Sequence, residues 1–332
     1  MITNVITIGE ALAVFRSQPG QPLWRTEQVS VGTGGAEANV AMTLAHRGVP
    51  VTWAGRVGGD SLGRRVIREL RAEGVTVASI LDETRPTGLL VKDARSDGRT
   101  VVSYYRSNSA GSALSPNDID HLQFQLSSDT LVHLTGITAA LSSSASDAVN
   151  HLVDLAHQAG ALVSFDVNHR PRLWRDRSAS VEHRALARRA NLVFASIDEV
   201  VFLIDGSGPG PQVTDVDSLE SAITAVAALR TEGYDHAVVT AGAAGSAACH
   251  GGDVTSMPAL RDIDVVDSVG AGDAFVGGYL ASWAGGGTLS ERLLTASVSG
   301  AAACRHEGDW EGATDLSGLN DGHAAGRDPV VR

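Results

Sequence analysis

Cysteine is nearly missing from this 332-residue chain: Cys249 and Cys304 are the only two, and they form no C-x-x-C pair. That excludes a disulfide framework and sets the expectation of a reducing, cytoplasmic setting. Long apolar runs are missing too. No stretch reaches the 18 apolar residues that a membrane-spanning helix needs. The opening MITNVITIGEALAVF lacks the basic segment and unbroken apolar core of a secretory signal. Positive charge is scarce: 26 Lys and Arg stand against 38 Asp and Glu, a net charge of −12. This balance argues against nucleic acid as a partner, and no membrane partner is expected. It leaves room for a small anion, which needs only local cations. Eleven His residues show no H-x-x-x-H or H-E-x-x-H spacing, so no zinc site is expected. There is no G-x-S-x-G elbow and no G-x-x-x-x-G-K-S/T phosphate loop. No G-x-G-x-x-G follows the first strand-like run, which argues against a dinucleotide-dependent dehydrogenase.

What is present is an alternation. A strand-like run at 5–8 is followed by a helical pattern at 36–47 stopped by Gly48, a strand at 51–54 and a helix at 62–73 stopped by Gly74. The rhythm resumes with strands at 131–136, 161–167, 191–196 and 236–242, and helices near 144–158, 180–189 and 217–232. Helices near 271–285 and 289–305 close it. Such β-α-β order predicts an α/β fold with a mostly parallel sheet. Two segments break the rhythm. TGLLVKD and RTVVSYYR, joined by SDGR, read as a hairpin. With part of 10–33 it forms a small β lid, spanning about 10–33 and 84–110. Residues 246–258 read as a second hairpin, and 205–216 as a loop. The polar, Gly-rich tail at 313–332 is expected to fray.

In open α/β sheets, ligands bind at the carboxyl ends of the strands. Glu10, Asp166 to Arg170, Ser196 to Glu199, Thr240 to Gly245 and Gly270 to Asp273 all fall there. DSVGAGDAFVGGYLAS places Asp273 at a glycine turn that opens a helix. Bare N–H groups at Gly270, Ala271, Gly272 and Asp273 make an anion site. A carboxylate at an anion site conflicts with the ligand unless it is there to take a proton. The same letters would also serve a capped helix. In GTGGAEANVA, Gly34 and Gly35 permit close approach of a ligand, and Asn39 offers it an amide. SYYRSNSAGSA puts Tyr104 and Arg106 on one strand face; Arg106 has the fork to pair a carboxylate. FDVNHRPRLW sets Asn168 and Arg170 past a strand end, with Arg172 and Arg175 following.

Together, GGAEANVAMTLAHRG and DSVGAGDAFVGGYLAS resemble the two signatures of the ribokinase-like (PfkB) carbohydrate kinases, over about residues 4–312. Within the family, ITIGEAL, YYRSNSAGSAL, VHLTGITAALS, FDVNHRPRLW and GDWEG are most similar to 2-keto-3-deoxygluconate kinases. The resemblance implies a three-layer αβα sandwich with a β lid, one kinase domain over 1–312, and ATP-dependent phosphorylation of a sugar acid. It implies Asp273 as general base, the Gly270–Gly272 turn as anion hole, and sugar-acid contacts from Gly34, Gly35, Asn39, Tyr104, Arg106, Asn168, Arg170 and Asp309. ATP would meet Ser196, Thr240, Gly242 and Gly245, and Mg²⁺ would be placed by Glu199 through water. A monovalent cation also fits, and the exposed edges of the lid strands lead to the expectation of a homo-oligomer, dimer or higher. Two departures stand out: Ser196 takes the place of the Asn in the family's N-x-x-E, and Leu90 stands where a Tyr is expected. A neutral-sugar kinase and a non-catalytic sensor of sugar or nucleotide on the same fold stay open as alternatives.

Overall fold

The computed structural model describes residues 1–94, 100–174, 178–204 and 218–314. The chain begins with β1 (Asn4–Ile8), β2 (Leu12–Arg16), β3 (Ser30–Gly34), α1 (Ala36–His46), β4 (Val51–Gly58) and α2 (Ser61–Ala72). Then come β5 (Thr76–Asp82), β6 (Leu89–Ala94), β7 (Thr100–Tyr105), α3 (Pro116–Leu122), β8 (Thr130–Thr135), α4 (Gly136–Leu141) and α5 (Ser143–Gln158). The second half holds β9 (Leu162–Asp166), α6 (Ala179–Ala187), β10 (Leu192–Ser196), α7 (Leu219–Thr231), β11 (Ala237–Thr240), β12 (Gly245–His250) and β13 (Asp253–Pro258). It ends with α8 (Ala271–Ala284) and α9 (Leu289–Cys304).

The large sheet has the order β13-β12-β11-β10-β9-β8-β1-β4-β5. It is parallel from β11 to β5, with the antiparallel hairpin β12–β13 added at one edge. Its strands are apolar on both faces because helices cover both. Along β10, Leu192 and Phe194 pack on one side with Trp53, Tyr279 and Leu280. Val193 and Ala195 pack on the other with Val149, Leu152 and Val226. This two-residue alternation makes the three-layer α/β sandwich, with α1, α2, α8 and α9 on one face and α4 to α7 on the other.

The lid is a separate four-stranded sheet, β3-β2-β6-β7. The turn of its second hairpin, SDGR, lies outside the described residues, as do Arg175, the 205–216 loop and the tail from 315. The body grips the lid through the segment after α9. Trp310 Nε1 donates to the Thr33 carbonyl (3.0 Å), and Arg16 pairs with Glu307 and Glu311 (3.8 and 3.5 Å). Three elements escaped the sequence reading. Strand β5 is a half-buried edge strand with little alternation, and α3 and α4 are too short to show a period. Among the described residues, no helix is long and apolar enough to cross a membrane.

Candidate active site

Lid and body enclose a cavity of about 400 Å³ at the carboxyl ends of β9, β10 and β11. That volume suits a small-molecule ligand. The body lines it with Asn39, Asp166, Asn168, Arg170, Ser196, Glu199, Thr240 and the Gly270–Asp273 turn. The lid contributes Leu12, Leu90, Val102 and Tyr104.

The turn before α8 is built by a glycine that no other residue could replace without movement. Gly270 caps the helix at φ 83°, in the left-handed region. A Cβ there would also overlap the Asp309 carbonyl. The result leaves the N–H groups of Gly270, Gly272 and Asp273 without a partner among the described residues, whereas Ala271 N–H donates to the Ser268 carbonyl (3.3 Å). Three open donors at a helix start form an anion site. Ala271 is therefore not one of the donors.

Asp273 stands beside them. Asn39 Nδ2, in the first turn of α1, donates to its Oδ2 (2.8 Å), and Asn168 Nδ2 to its Oδ1 (3.4 Å). Desolvation pushes the Asp273 carboxyl up to about 7, against the Asn39 hydrogen bond and the Arg170 charge, with Asp309 and Glu37 adding to the rise. A carboxylate titrating near neutrality is suited to accepting a proton. Asn168 itself sits at φ 39°, a backbone state uncommon outside glycine that concentrates at functional sites. Its amide also donates to Asp166 Oδ2 (2.9 Å). The amide oxygens of Asn39 and Asn168 meet no donor among the described residues, so a hydroxyl-bearing ligand would satisfy them.

A second acidic centre adjoins the first through Asn168. Glu199 folds back on its own turn, accepting from Ser196 N–H (2.8 Å) and His169 N–H (2.6 Å). Burial, then the Glu199 charge, pushes the Asp166 carboxyl well above the usual range. A divalent cation between the two would relieve that repulsion, so this donor pair fits Mg²⁺, which takes one or two carboxylates plus water and phosphate oxygens. Among the described residues, no group of three or more His, Cys, Asp or Glu forms a cage for a metal.

The two arginines differ. Arg106, just past β7, is buried and locked to Glu10: Nε and Nη2 both stand 2.6 Å from Glu10 Oε2. Ser109 Oγ donates to the other Glu10 oxygen. Gly88 and Gly111 lie so close to Glu10 that a side chain on either would overlap it. Arg106 therefore enters the cavity wall already neutralised. Arg170 is exposed at the cavity and, among the described residues, hydrogen-bonds only the neighbouring His169 carbonyl (3.0 Å). Tyr104 keeps its ring beneath the Arg106 guanidinium at 5.5 Å. Leu90 presents an apolar wall with Leu12 and Val102.

The structure thus gathers Gly35, Asn39, Tyr104, Arg106, Asn168, Arg170, Ser196, Glu199, Thr240, Gly270, Gly272, Asp273 and Asp309 around one space. Gly34, Ala271, Gly242 and Gly245 do not line it. Gly34 instead makes room for the Asp309 carboxyl, and Gly242 and Gly245 form the turn between β11 and β12. Sequence reasoning located Glu10 and Asp166 at strand ends but missed their partners. The glycines at 88 and 111 were the signal for a bulky neighbour at Glu10.

A pfkB family carbohydrate kinase model matches residues 2–315. The 2-dehydro-3-deoxygluconokinase of Bacillus subtilis (strain 168) is 31% identical over 94% of this chain and 93% of its own. The fructokinase of Salmonella typhimurium is 33% identical over 83% and 86%. A solved structure of fructokinase from Xylella fastidiosa with bound ATP superposes with TM-score 0.77 at 25% identity, covering 97% and 98%. With a family model spanning the described fold, and with relatives above 30% identity on either side of the sugar-acid divide, the chain belongs to the pfkB family of carbohydrate kinases and is an enzyme that phosphorylates a sugar.

Proposed function

We propose that the enzyme transfers the γ-phosphoryl group of ATP to a hydroxyl of a sugar acid, 2-keto-3-deoxygluconate foremost, giving its 6-phosphate. The observation that carries the acid reading is Arg170, a cation facing the cavity that forms no ion pair at contact distance among the described residues. The similarity to a 2-dehydro-3-deoxygluconokinase supports it. In this reading the sugar lies between the lid and Asn168, with its carboxylate toward Arg170 and the outer edge of Arg106. Gly35, Tyr104 and Asp309 complete its contacts. Asp273, oriented by Asn39 and Asn168, takes the proton from the attacking hydroxyl. The N–H groups of Gly270, Gly272 and Asp273 stabilise the charge on the phosphoryl oxygens. ATP lies along Ser196, Thr240 and the Gly242–Gly245 turn. Mg²⁺ would be held by Asp166 and by Glu199 through water, and when bound supplies positive charge to the phosphate oxygens. The free thiols of Cys249 and Cys304 suit a reducing cytoplasm.

The Glu10–Arg106 pair favours a second reading. With one arginine neutralised, a neutral sugar meets only one bare cation, as a fructokinase-like enzyme would need. ADP release with Mg-ATP separates the two on a panel of 2-keto-3-deoxygluconate, 2-keto-3-deoxygalactonate, gluconate, fructose and ribose. Turnover confined to the keto-deoxy acids is the expected result; turnover confined to fructose or ribose overturns the acid reading and keeps the Asp273 chemistry.

The Asp273 carboxyl also predicts a pH profile. Ionisation activates the base, so kcat/KM should rise about tenfold per pH unit below an apparent pKa near 7 and level above it. A rising limb centred near 4 would mean that substrate sees an ordinary carboxylate there.

A further inference from the structure

Of the 26 Lys and Arg residues, only Lys92 is a lysine. Its side chain is fully buried, at 0% exposure, where lysine is seldom found unless paired. It lies on β6 of the lid, on the same strand face as Leu90. Its Nζ stands 2.8 Å from Asp267 Oδ2 and 2.6 Å from Asp309 Oδ1, both on the body. The two acids flank the anion-binding turn. Asp267 Oδ1 accepts the N–H of Val269 (3.0 Å), the residue before Gly270. The Asp309 carbonyl packs directly against Gly270, and its carboxyl against Gly34 of the lid. One ammonium group is therefore a single side chain away from the turn on both sides.

The residue type is informative. A guanidinium is a planar fork that takes a carboxylate edge-on, whereas an ammonium is compact and takes acceptors from several directions. A chain that uses arginine at every other cationic position keeps lysine where two carboxylates converge in a closed space. Buried ion clusters of this kind set geometry more than they add stability. Opening the lid would return all three charges to water, so the contact is reversible.

We propose that Lys92 is a positioning residue for phosphoryl transfer: its ammonium latches the lid to both flanks of the Gly270–Asp273 turn, so that the turn takes its working geometry when the lid is shut over the sugar. The kinetic consequences rest on the kinase reading above; the latch itself does not.

Because the lysine is unique, an amine-acylating reagent has only Lys92 and the N-terminal amine to label, and intact mass counts the labels. The expected result is one fast label and one slow one, with sugar plus a non-hydrolysable ATP analogue slowing the second roughly fivefold or more as the closed state fills. A second label as fast as the first, or one whose rate ligands do not change, overturns the latch. The sugar added is one that the wild type phosphorylates; should it phosphorylate none, that outcome sinks the functional reading, and the rate of the second label without ligand alone decides the latch.

The kinetic arm uses Lys92→Met. It should raise the sugar KM roughly tenfold and leave the ATP KM within about twofold. ADP should form in excess of phosphorylated sugar, because a loose lid admits water. Lys92→Met alone strands two acids, so Lys92→Met/Asp267→Asn is made beside it and keeps the cluster's net charge; the same split is expected. A folded variant with wild-type sugar KM and one ADP per phosphorylated sugar overturns the proposal.

Discussion

An Asp273→Asn enzyme is expected to turn over about 10²–10⁴-fold more slowly than wild type, the range for removing a general base. KM for ATP should hardly move, because the open N–H groups of Gly270 and Gly272 are backbone and survive the change. The variant should also lose the limb of the pH profile near 7. A stability signature accompanies the loss. The folded Asp273 carboxyl titrates near 7 against an ordinary value of 3.8, so folding favours its protonated form. That advantage is whole below about pH 4 and is lost as pH rises toward 7. An asparagine never ionises, so the variant's Tm advantage over wild type should grow from pH 4 to pH 7 and then level off. Turnover near the wild-type rate would remove Asp273 from the chemistry. A Tm difference that shrinks as pH rises would contradict the desolvation that raises this carboxyl.

Arg106→Ala should do two kinds of damage where Arg170→Ala does one. Removing Arg106 leaves Glu10 buried without its cation, and breaking a buried pair from one side costs about 3–5 kcal/mol. The side chains are 10% and 1% exposed, so water cannot take over. Melting should fall by several degrees, and sugar-acid KM should rise as well. Arg170 is exposed and forms no ion pair among the described residues, so its removal takes only a through-space charge from Asp166 and Asp273. Arg170→Ala should leave Tm unchanged and raise KM for a sugar acid about 10- to 150-fold, the equivalent of roughly 1.5–3 kcal/mol for a charge-assisted bond. KM for a neutral sugar should be spared, while kcat at neutral pH falls alike for both as Asp273 loses the Arg170 charge. Adding Glu10→Gln to Arg106→Ala should recover much of the stability and none of the sugar-acid binding. Equal effects of Arg170→Ala on KM for acid and neutral sugars would end the carboxylate-clamp idea.

The sequence revealed what is written locally. The β-α-β rhythm, the two hairpins and the glycine turn at 270–273 all depend on neighbours within a few residues. The strand-end rule even located Glu10 and Asp166. Partnerships were not legible. Arg106 and Glu10 lie 96 positions apart, and no spacing announces that the arginine is already spoken for. Lys92 falls on the buried face by simple alternation with Leu90, a signal that was there to be read. Its acids are too distant to be paired from the letters; Asp267 alone is 175 positions away. The strand β5 failed for a different reason: it is an edge with four half-buried positions, so its outer face gives no clean alternation.

The fastening of the lid by the segment after α9 has a consequence in time. Trp310 meets Thr33 across 277 positions, and Asn39 meets Asp273 across 234. At about 5–20 residues per second, a ribosome separates such partners by some tens of seconds. Throughout that interval the lid strands exist without the residues that hold them, and Asn39 has no carboxylate to orient. The long loops must also close before these contacts form, which makes them late events in folding. A nascent chain stalled before residue 267 would therefore carry most of the parallel sheet and yet lack both the turn before α8 and the Trp310 fastening, so a ligand that needs either can assist folding only once those residues have emerged.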